Sequence, residues 1–233
     1  VTTPKPVKIV LVDGLKDHGP GEHDYPAWRV AWSDLLSAAP GVDVSTARDF
    51  PSETQLNTAD VLIFFQKGSF TASRGASLDR FLKRGGGLVL VHWAVNGDDR
   101  AADFARRIGL ASTAGGISYR HGPLRLDVED PKHPIMRNIP RLDLYDESYW
   151  RLSGDAKQVH VLASSVEDGE SRPQVWLKDH GTGRVFVSIP GHYNWTFDDP
   201  IFRILLLRGI AWSAQEPIDR FNELVWPGAR VVD

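Results

Sequence analysis

Apolar residues form short, nearly unbroken runs in the first half of the chain, separated by stretches in which they recur at helical spacing. VKIVLVD (Val7 to Asp13) is such a run closed by a carboxylate, the pattern of a strand buried on both faces. YPAWRVAWSDLLSAA then repeats apolar residues on one helical face, with Pro26 tolerated in the first turn. VDVSTARDF predicts a second strand, ADVLIFFQ a third, ASLDRFLKRGGG a helix closed by glycines, and GLVLVHW a fourth strand. This β-α-β-α-β rhythm predicts a parallel, doubly wound sheet joined by right-handed crossovers.

After Gly109 the rhythm changes. PLRLDVED, DLYDESYWRL, QVHVLASS, RPQVWLKD and GRVFVSIPG are short strand-like runs parted by turns such as DHGTG, which predicts antiparallel hairpins added to the main sheet. DPIFRILLLRGIAWSA follows as a strong helix, with Asp198 or Asp199 as N-cap and Pro200 at its first position. From Gln215 onward, with Pro217 and Pro227, the chain is expected to wrap the surface. The whole, 1–233, reads as one α/β domain with a core over about 7–214 and a surface tail over 215–233.

Composition narrows the chemistry. An apolar share of 42% with eight Trp and ten Phe supports a sizeable core, and a net charge of 27 minus 30, or −3, with no long basic run, argues against nucleic acid as a partner. No apolar stretch approaches the ~20 residues that span a bilayer, so no membrane partner is expected. The polar, Pro-containing opening VTTPKPVKIV fits a chain exported to the periplasm or secreted after loss of a leader, with the cytoplasm as the alternative. The absence of Cys removes disulfides, thiolate metal sites and cysteine nucleophiles together.

Ligands of open α/β sheets bind beyond the carboxyl ends of the strands. Asp13 ends the first strand and leads into GLKDHGPGEHDYPAW, which carries His18, Glu22 and His23. Gln66 ends the third strand, His92 the fourth, and His192 follows the last. An imidazole placed after a fully apolar strand needs a partner when buried, so His92 stands out. His133, His160 and His180 lie in a turn, on a strand face and at a hairpin tip, and read as structural or solvated. Arg120 and His121 sit in a Gly-flanked connection, and Asp146 and Glu147 lie side by side among aromatics, so that on a strand only one would face inward. Aromatics such as Tyr149 and Trp195 beside carboxylates suit a carbohydrate, the expected small-molecule partner. Several histidines and a carboxylate converging on one mouth fit a divalent ion, Zn or Mn first, although no helical metal-binding spacing is present.

DGLKDHGPGEHDYPAW, GLVLVHWA, DPKHPIMRNIP, DESYW and GRVFVSIPGHYNWTFDDPIFRILLLRGIAW together resemble the ThuA-like (trehalose utilisation) family, over about Val7 to Ala214. That family is similar to class I glutamine amidotransferases, which implies a flavodoxin-like fold with a nucleophile elbow after one strand and a late catalytic histidine. Here His92 stands at the elbow and His192 at the late position. An imidazole in place of a thiol cannot transfer ammonia from glutamine.

The resemblance implies sugar metabolism: a metal-dependent lyase or hydrolase acting on 3-keto-glycosides, with proton abstraction at C2 and elimination of the C1 oxygen. It implies His92, His192 and Glu147 as catalytic groups and His23, His92 and His192 as metal ligands. His18, Arg120, His121, Asp146, Tyr149 and Trp195 are the candidate substrate contacts, in a monomer or a homo-oligomer. A non-catalytic carbohydrate-binding domain is the alternative. Hydrolysis by paired carboxylates is a third reading, and it needs another acid across the site.

Overall fold

The computed structural model describes residues 6–113 and 115–225. The expected parallel half is present. Strands β1 (Val7–Asp13), β2 (Val42–Arg48), β3 (Val61–Phe65) and β4 (Gly87–Val91) alternate with helices α1 (Tyr25–Ser37), α2 (Glu53–Thr58) and α3 (Ala72–Lys83). A further helix, α4 (Ala101–Ile108), leads through the two-residue strand β5 (Leu110–Ala111) into the hairpin strands β6 (Ser118–Val128) and β7 (Arg141–Trp150). Then come β8 (Ser153–Gly154), β9 (His160–Glu167), β10 (Glu170–His180), β11 (Gly183–Ser188) and the last helix, α5 (Pro200–Ser213). The main sheet runs β2-β1-β3-β4-β11-β10-β9-β6-β7, and β5 pairs with β8 apart from it. Its first five strands are parallel in the flavodoxin-like order, and the other four form the antiparallel extension.

Strand alternation splits the core into two layers. Ile9 and Leu11 of β1, Ile63 and Phe65 of β3, and Val89 and Val91 of β4 face α1 and α5, meeting Trp28, Trp32, Leu205 and Leu206. Val10, Val12, Leu62, Phe64, Leu88 and Leu90 face α3 and α4, meeting Leu78, Phe81, Phe104 and Ile108. The helices begin where side chains satisfy their first N–H groups. Asp24 accepts from Ala27 N, Thr71 from Arg74 N, and Asp199 from Ile201 N and Phe202 N. Ser52 and Gln55 form a capping box on α2, a short helix that the apolar pattern does not predict because only Leu56 of it is buried.

Two expectations are corrected. The strand expected from Pro123 starts at Ser118, so Arg120 and His121 lie in β6, which passes through Gly122 at φ +133. Residues 215–225 are more than a surface wrap, since Phe221, Leu224 and Val225 join the core beside α5. Pro227 lies outside the described residues.

One departure from a flat sheet matters for function. β6 pairs with β9 only through Asp127 and Val128, whereas it pairs with β7 along nearly its whole length. The other end of the β6–β7 ribbon therefore swings back over the carboxyl ends of the parallel strands. Gln174 of β10 clasps the backbone of Tyr149 in β7 in both directions, at 3.2 and 2.8 Å. Asp146 of β7 accepts from the N–H groups of Gly191 and His192, both at 3.0 Å, just past β11. With four inter-strand steps of ~4.8 Å between them, β7 and β11 would stand about 19 Å apart in a flat sheet.

The α5 layer sits close on β11: a Cβ at Gly209 would come within 2.7 Å of the buried Phe186 ring. Gly209→Ala gains about 1 kcal/mol of helix propensity but overpacks this contact at a cost of about 1–3 kcal/mol. We expect a net loss of stability in chemical denaturation, and a raised midpoint would refute the packing argument.

Candidate metal centre

Four segments deliver the site: the β1–α1 loop, the turn after β4, the stretch after β11, and β7. His92 follows the extended Val91 with φ +56 and opens a 3-10 turn over His92–Val95, so the strand turns sharply where the resemblance places an elbow. His18 and His23 in the first loop also have positive φ, +62 and +44. Three non-glycine residues in this sparsely populated region, gathered at one spot, mark a backbone held by its surroundings. Gly191 makes room for the last segment: it has φ +138, and a Cβ there would lie 2.7 Å from Val91 Cγ1.

His23, His92, Glu147 and His192 are buried, and each offers one ligand atom within 4.8 Å of the others. His23 Nε2 is 2.9 Å from both His92 Nε2 and His192 Nδ1, and the latter two are 3.2 Å apart. Glu147 Oε2 lies 3.2 Å from His92 Nε2 and 3.0 Å from His192 Nδ1. A tetrahedral ion with bonds of about 2.0–2.1 Å has donor–donor edges of about 3.3 Å, a few tenths of an ångström longer.

The outer hydrogen bonds fix what these atoms present. His92 Nδ1 donates to Ile189 O at 2.8 Å, and a carbonyl can only accept, so the tautomer that can ligate an ion points its lone pair through Nε2. His23 Nδ1 meets Asp17 Oδ1 at 2.6 Å, which leaves its Nε2 as a lone pair as well. Burial, reinforced by the neighbouring His92 and His192, drives the His23 imidazole far below its ordinary pKa and keeps it neutral. Lone pairs facing one another at 2.9 Å repel unless a cation lies between them. His192 Nε2 is buried without a hydrogen-bond partner, 3.8 Å from Glu22 Oε1. That is the nitrogen that carries the proton if Nδ1 serves as a ligand. The donor set fits a divalent ion.

Around this cluster lies a cavity of about 530 Å³, lined by His18, Lys67, Trp93, Tyr119, His121 and Tyr149 with His23 and Glu147 at its floor. The volume suits a sugar-sized molecule. His18 pairs through Nδ1 with the same Asp17 oxygen, at 2.9 Å, which leaves Nε2 for the cavity. His121 Nε2 is 3.3 Å from Glu147 Oε1, and the Tyr149 hydroxyl is 3.1 Å from His92 Nε2.

Other candidates fall elsewhere. Successive residues of β7 alternate in direction, yet Asp146 and Glu147 are both buried, because residues 191–196 cover the face that Asp146 takes. The expectation that only one faces inward is corrected. Asp146 is no substrate contact either: its oxygens accept from the N–H groups of Glu147, Gly191 and His192 and from the Thr196 hydroxyl. Arg120 pairs with Glu167 at 2.9 Å and bonds Pro123 O. Asp13 is held between Arg29 and Arg48, and Gln66 bonds Asp49 O. Trp195 stands half exposed, stacked on Tyr193. His160 pairs with Asp130, and His133 accepts from Ile135 N, both remote from the cavity.

Sequence reasoning missed Asp17, the carboxylate that grips both His18 and His23, and the cavity residues Lys67, Trp93 and Tyr119. The adjacency of Asp17 to His18 was the available signal.

A family model described as trehalose utilisation, ThuA, matches residues 17–213. A ThuA-like protein from Parabacteroides merdae is 22% identical over 90% of each chain, with a TM-score of 0.71. One from Bacteroides uniformis is 16% identical over 94% of this chain and 97% of its own, also with a TM-score of 0.71. A β-galactosidase from Rahnella is 16% identical and aligns 91% of this chain with 32% of its own, at a TM-score of 0.60. These structural likenesses establish the fold, which is consistent with a glutamine-amidotransferase-like architecture. No curated protein matches.

Removing the carboxylate that orients a ligating histidine usually costs about 10–100-fold in metal affinity. If the cluster holds a divalent ion, Asp17→Asn is expected to weaken its binding by that factor in direct titration, and unchanged affinity would remove Asp17 from the centre.

Proposed function

The chain belongs to the ThuA, trehalose-utilisation family, and from that premise we propose that it is a divalent-metal-dependent carbohydrate enzyme that cleaves keto-glycosides. The observation that carries the reading is the convergence of His23, His92, His192 and Glu147 beneath a cavity that also holds the Asp17–His18 pair.

His23, His92, His192 and Glu147 would hold the ion, which when bound supplies a Lewis acid for a developing enolate oxygen. His92 and His192 are buried and committed to that cluster, so the base role moves to His18. Asp17 orients its ring, and Nε2 has a free lone pair toward the cavity. In a 3-keto-glycoside, His18 takes the C2 proton and the C–H electron pair forms the C2–C3 double bond of the enolate. Its collapse forms the C1–C2 double bond and expels the C1 oxygen. His121, which lines the same cavity at 39% side-chain exposure, is the group placed to protonate that oxygen. Water then adds at C1 and a proton returns to C2, so the net reaction is hydrolysis. Tyr149 and Trp93 wall the cavity.

His18→Ala is expected to lower kcat for a 3-keto-glycoside by about 10²–10⁴-fold with metal content retained. Glu147→Gln or treatment with a chelator should remove metal and turnover together, and Zn²⁺ or Mn²⁺ should restore the chelated enzyme. If the protein binds no divalent ion in titration, or if chelation leaves turnover intact, the reading is wrong. Sugar binding without turnover in the metal-loaded protein would instead make it a carbohydrate-binding domain.

A further inference from the structure

One face of the β6–β7 ribbon carries an ordered row of side chains. Residues 145, 147 and 149 of β7 share that face, and the register sets Tyr145 opposite Pro123, Glu147 opposite His121, and Tyr149 opposite Tyr119. The Tyr119–Tyr149 and His121–Glu147 pairs both line the cavity. Tyr145 stands one two-residue step further along, about 6.8 Å, and is exposed.

That outer position is built up from a second direction. The segment after β11 brings Tyr193 and Trp195 beside it, their rings stacked at 4.3 Å and 11°, and Tyr145 lies 5.9 Å from the Tyr193 ring. The indole is held in place, with Trp195 Nε1 donating to Tyr145 O at 3.3 Å and the segment anchored by Asn194 N donating to Gly21 O. Trp195 and Tyr145 are nevertheless 50% and 55% exposed. The platform is continuous with the cavity through His121, whose Nδ1 is 3.3 Å from the Tyr193 hydroxyl.

We infer that Tyr145 and Trp195, backed by the buried Tyr193 ring, form a subsite for a second sugar ring, the one that leaves when the ring in the cavity is cleaved. This rests on the proposed keto-glycoside activity and extends it. Rigid aromatic faces cover the apolar faces of pyranoses at low entropic cost, and a platform next to the leaving oxygen contributes binding only when a second ring is attached. His121 lies at the junction of the two positions, where a proton is needed on the oxygen that parts them.

The test compares a disaccharide with the methyl glycoside of the same sugar, both as 3-keto substrates for turnover and as unoxidised ligands for calorimetric titration of the metal-loaded protein. The wild type is expected to favour the disaccharide by about fivefold to tenfold in kcat/KM and in affinity, as one aromatic stacking contact allows. Trp195→Ala and Tyr145→Ala should each erase most of that ratio, while Trp195→Phe should keep most of it. Absence of a preference in the wild type, or a preference that survives both alanine variants, overturns the subsite. Turnover of both substrates at equal efficiency would sink the subsite and leave the activity standing. A disaccharide preference in titration that depends on Trp195, with no turnover of either keto substrate, would keep the subsite and sink the activity.

Discussion

Asp146 fastens the strand β7 at the edge of the sheet to the segment that follows β11: two backbone N–H groups and one hydroxyl of that segment donate to its buried carboxylate, and the N–H of Glu147 adds a fourth donor. The candidate metal centre takes two of its four donors from that join. Glu147 is the next residue along β7 and His192 is one of the donors, so the same contact that closes the ribbon brings a carboxylate and an imidazole from distant parts of the chain together. A buried charge satisfied by four donors is strong in the low dielectric of the interior and costly to leave unpaired, which gives the join both energy and direction.

The parallel half contributes in a different way. It supplies a rigid floor whose strands all end at one level, and the chemistry begins where each strand stops: His92 after β4, His192 after β11, and the His18–His23 loop after β1. Part of the backbone strain is stored there, with His18, His23 and His92 in the left-handed region. Such conformations cost about 1–3 kcal/mol each and persist only under firm support. That support is visible in Ile189 O on His92, Asp17 on His23, and the hydrogen bond from His23 N to His192 O. The outer contacts aim the rings, and the rings then present lone pairs to one point.

How much of this the sequence carried follows from the kind of signal each part leaves. The parallel strands and their helices were legible because burial on both faces writes itself as unbroken apolar runs, as in VLIFF and GLVLV. His92 and His192 were legible for the same reason, as polar residues at the ends of such runs. Asp146 was misread because the alternation rule assumes one open face, and nothing local to DESYW reveals that residues from beyond position 190 cover it. Asp17 was missed because an acidic residue in a polar loop looks solvated until its two histidine partners are in place. The fold of the ribbon itself depends on β6 leaving its partner β9 after two residues, which is a tertiary choice without a local pattern.

The weak seam between β6 and β9 gives the molecule a natural line of opening. The far end of the ribbon is held by Asp146 and Gln174 and not by a full ladder of strand hydrogen bonds, so that end can loosen as a unit while Leu124, Leu126 and Leu142 stay packed in the core. Detachment takes Glu147 away and leaves three histidines behind. An ion gripped by all four donors would therefore spend its binding energy on closing the end of the ribbon, and the metal-free protein would differ from the loaded one in the amide-exchange protection of 118–123 and 145–150 far more than in that of the parallel core.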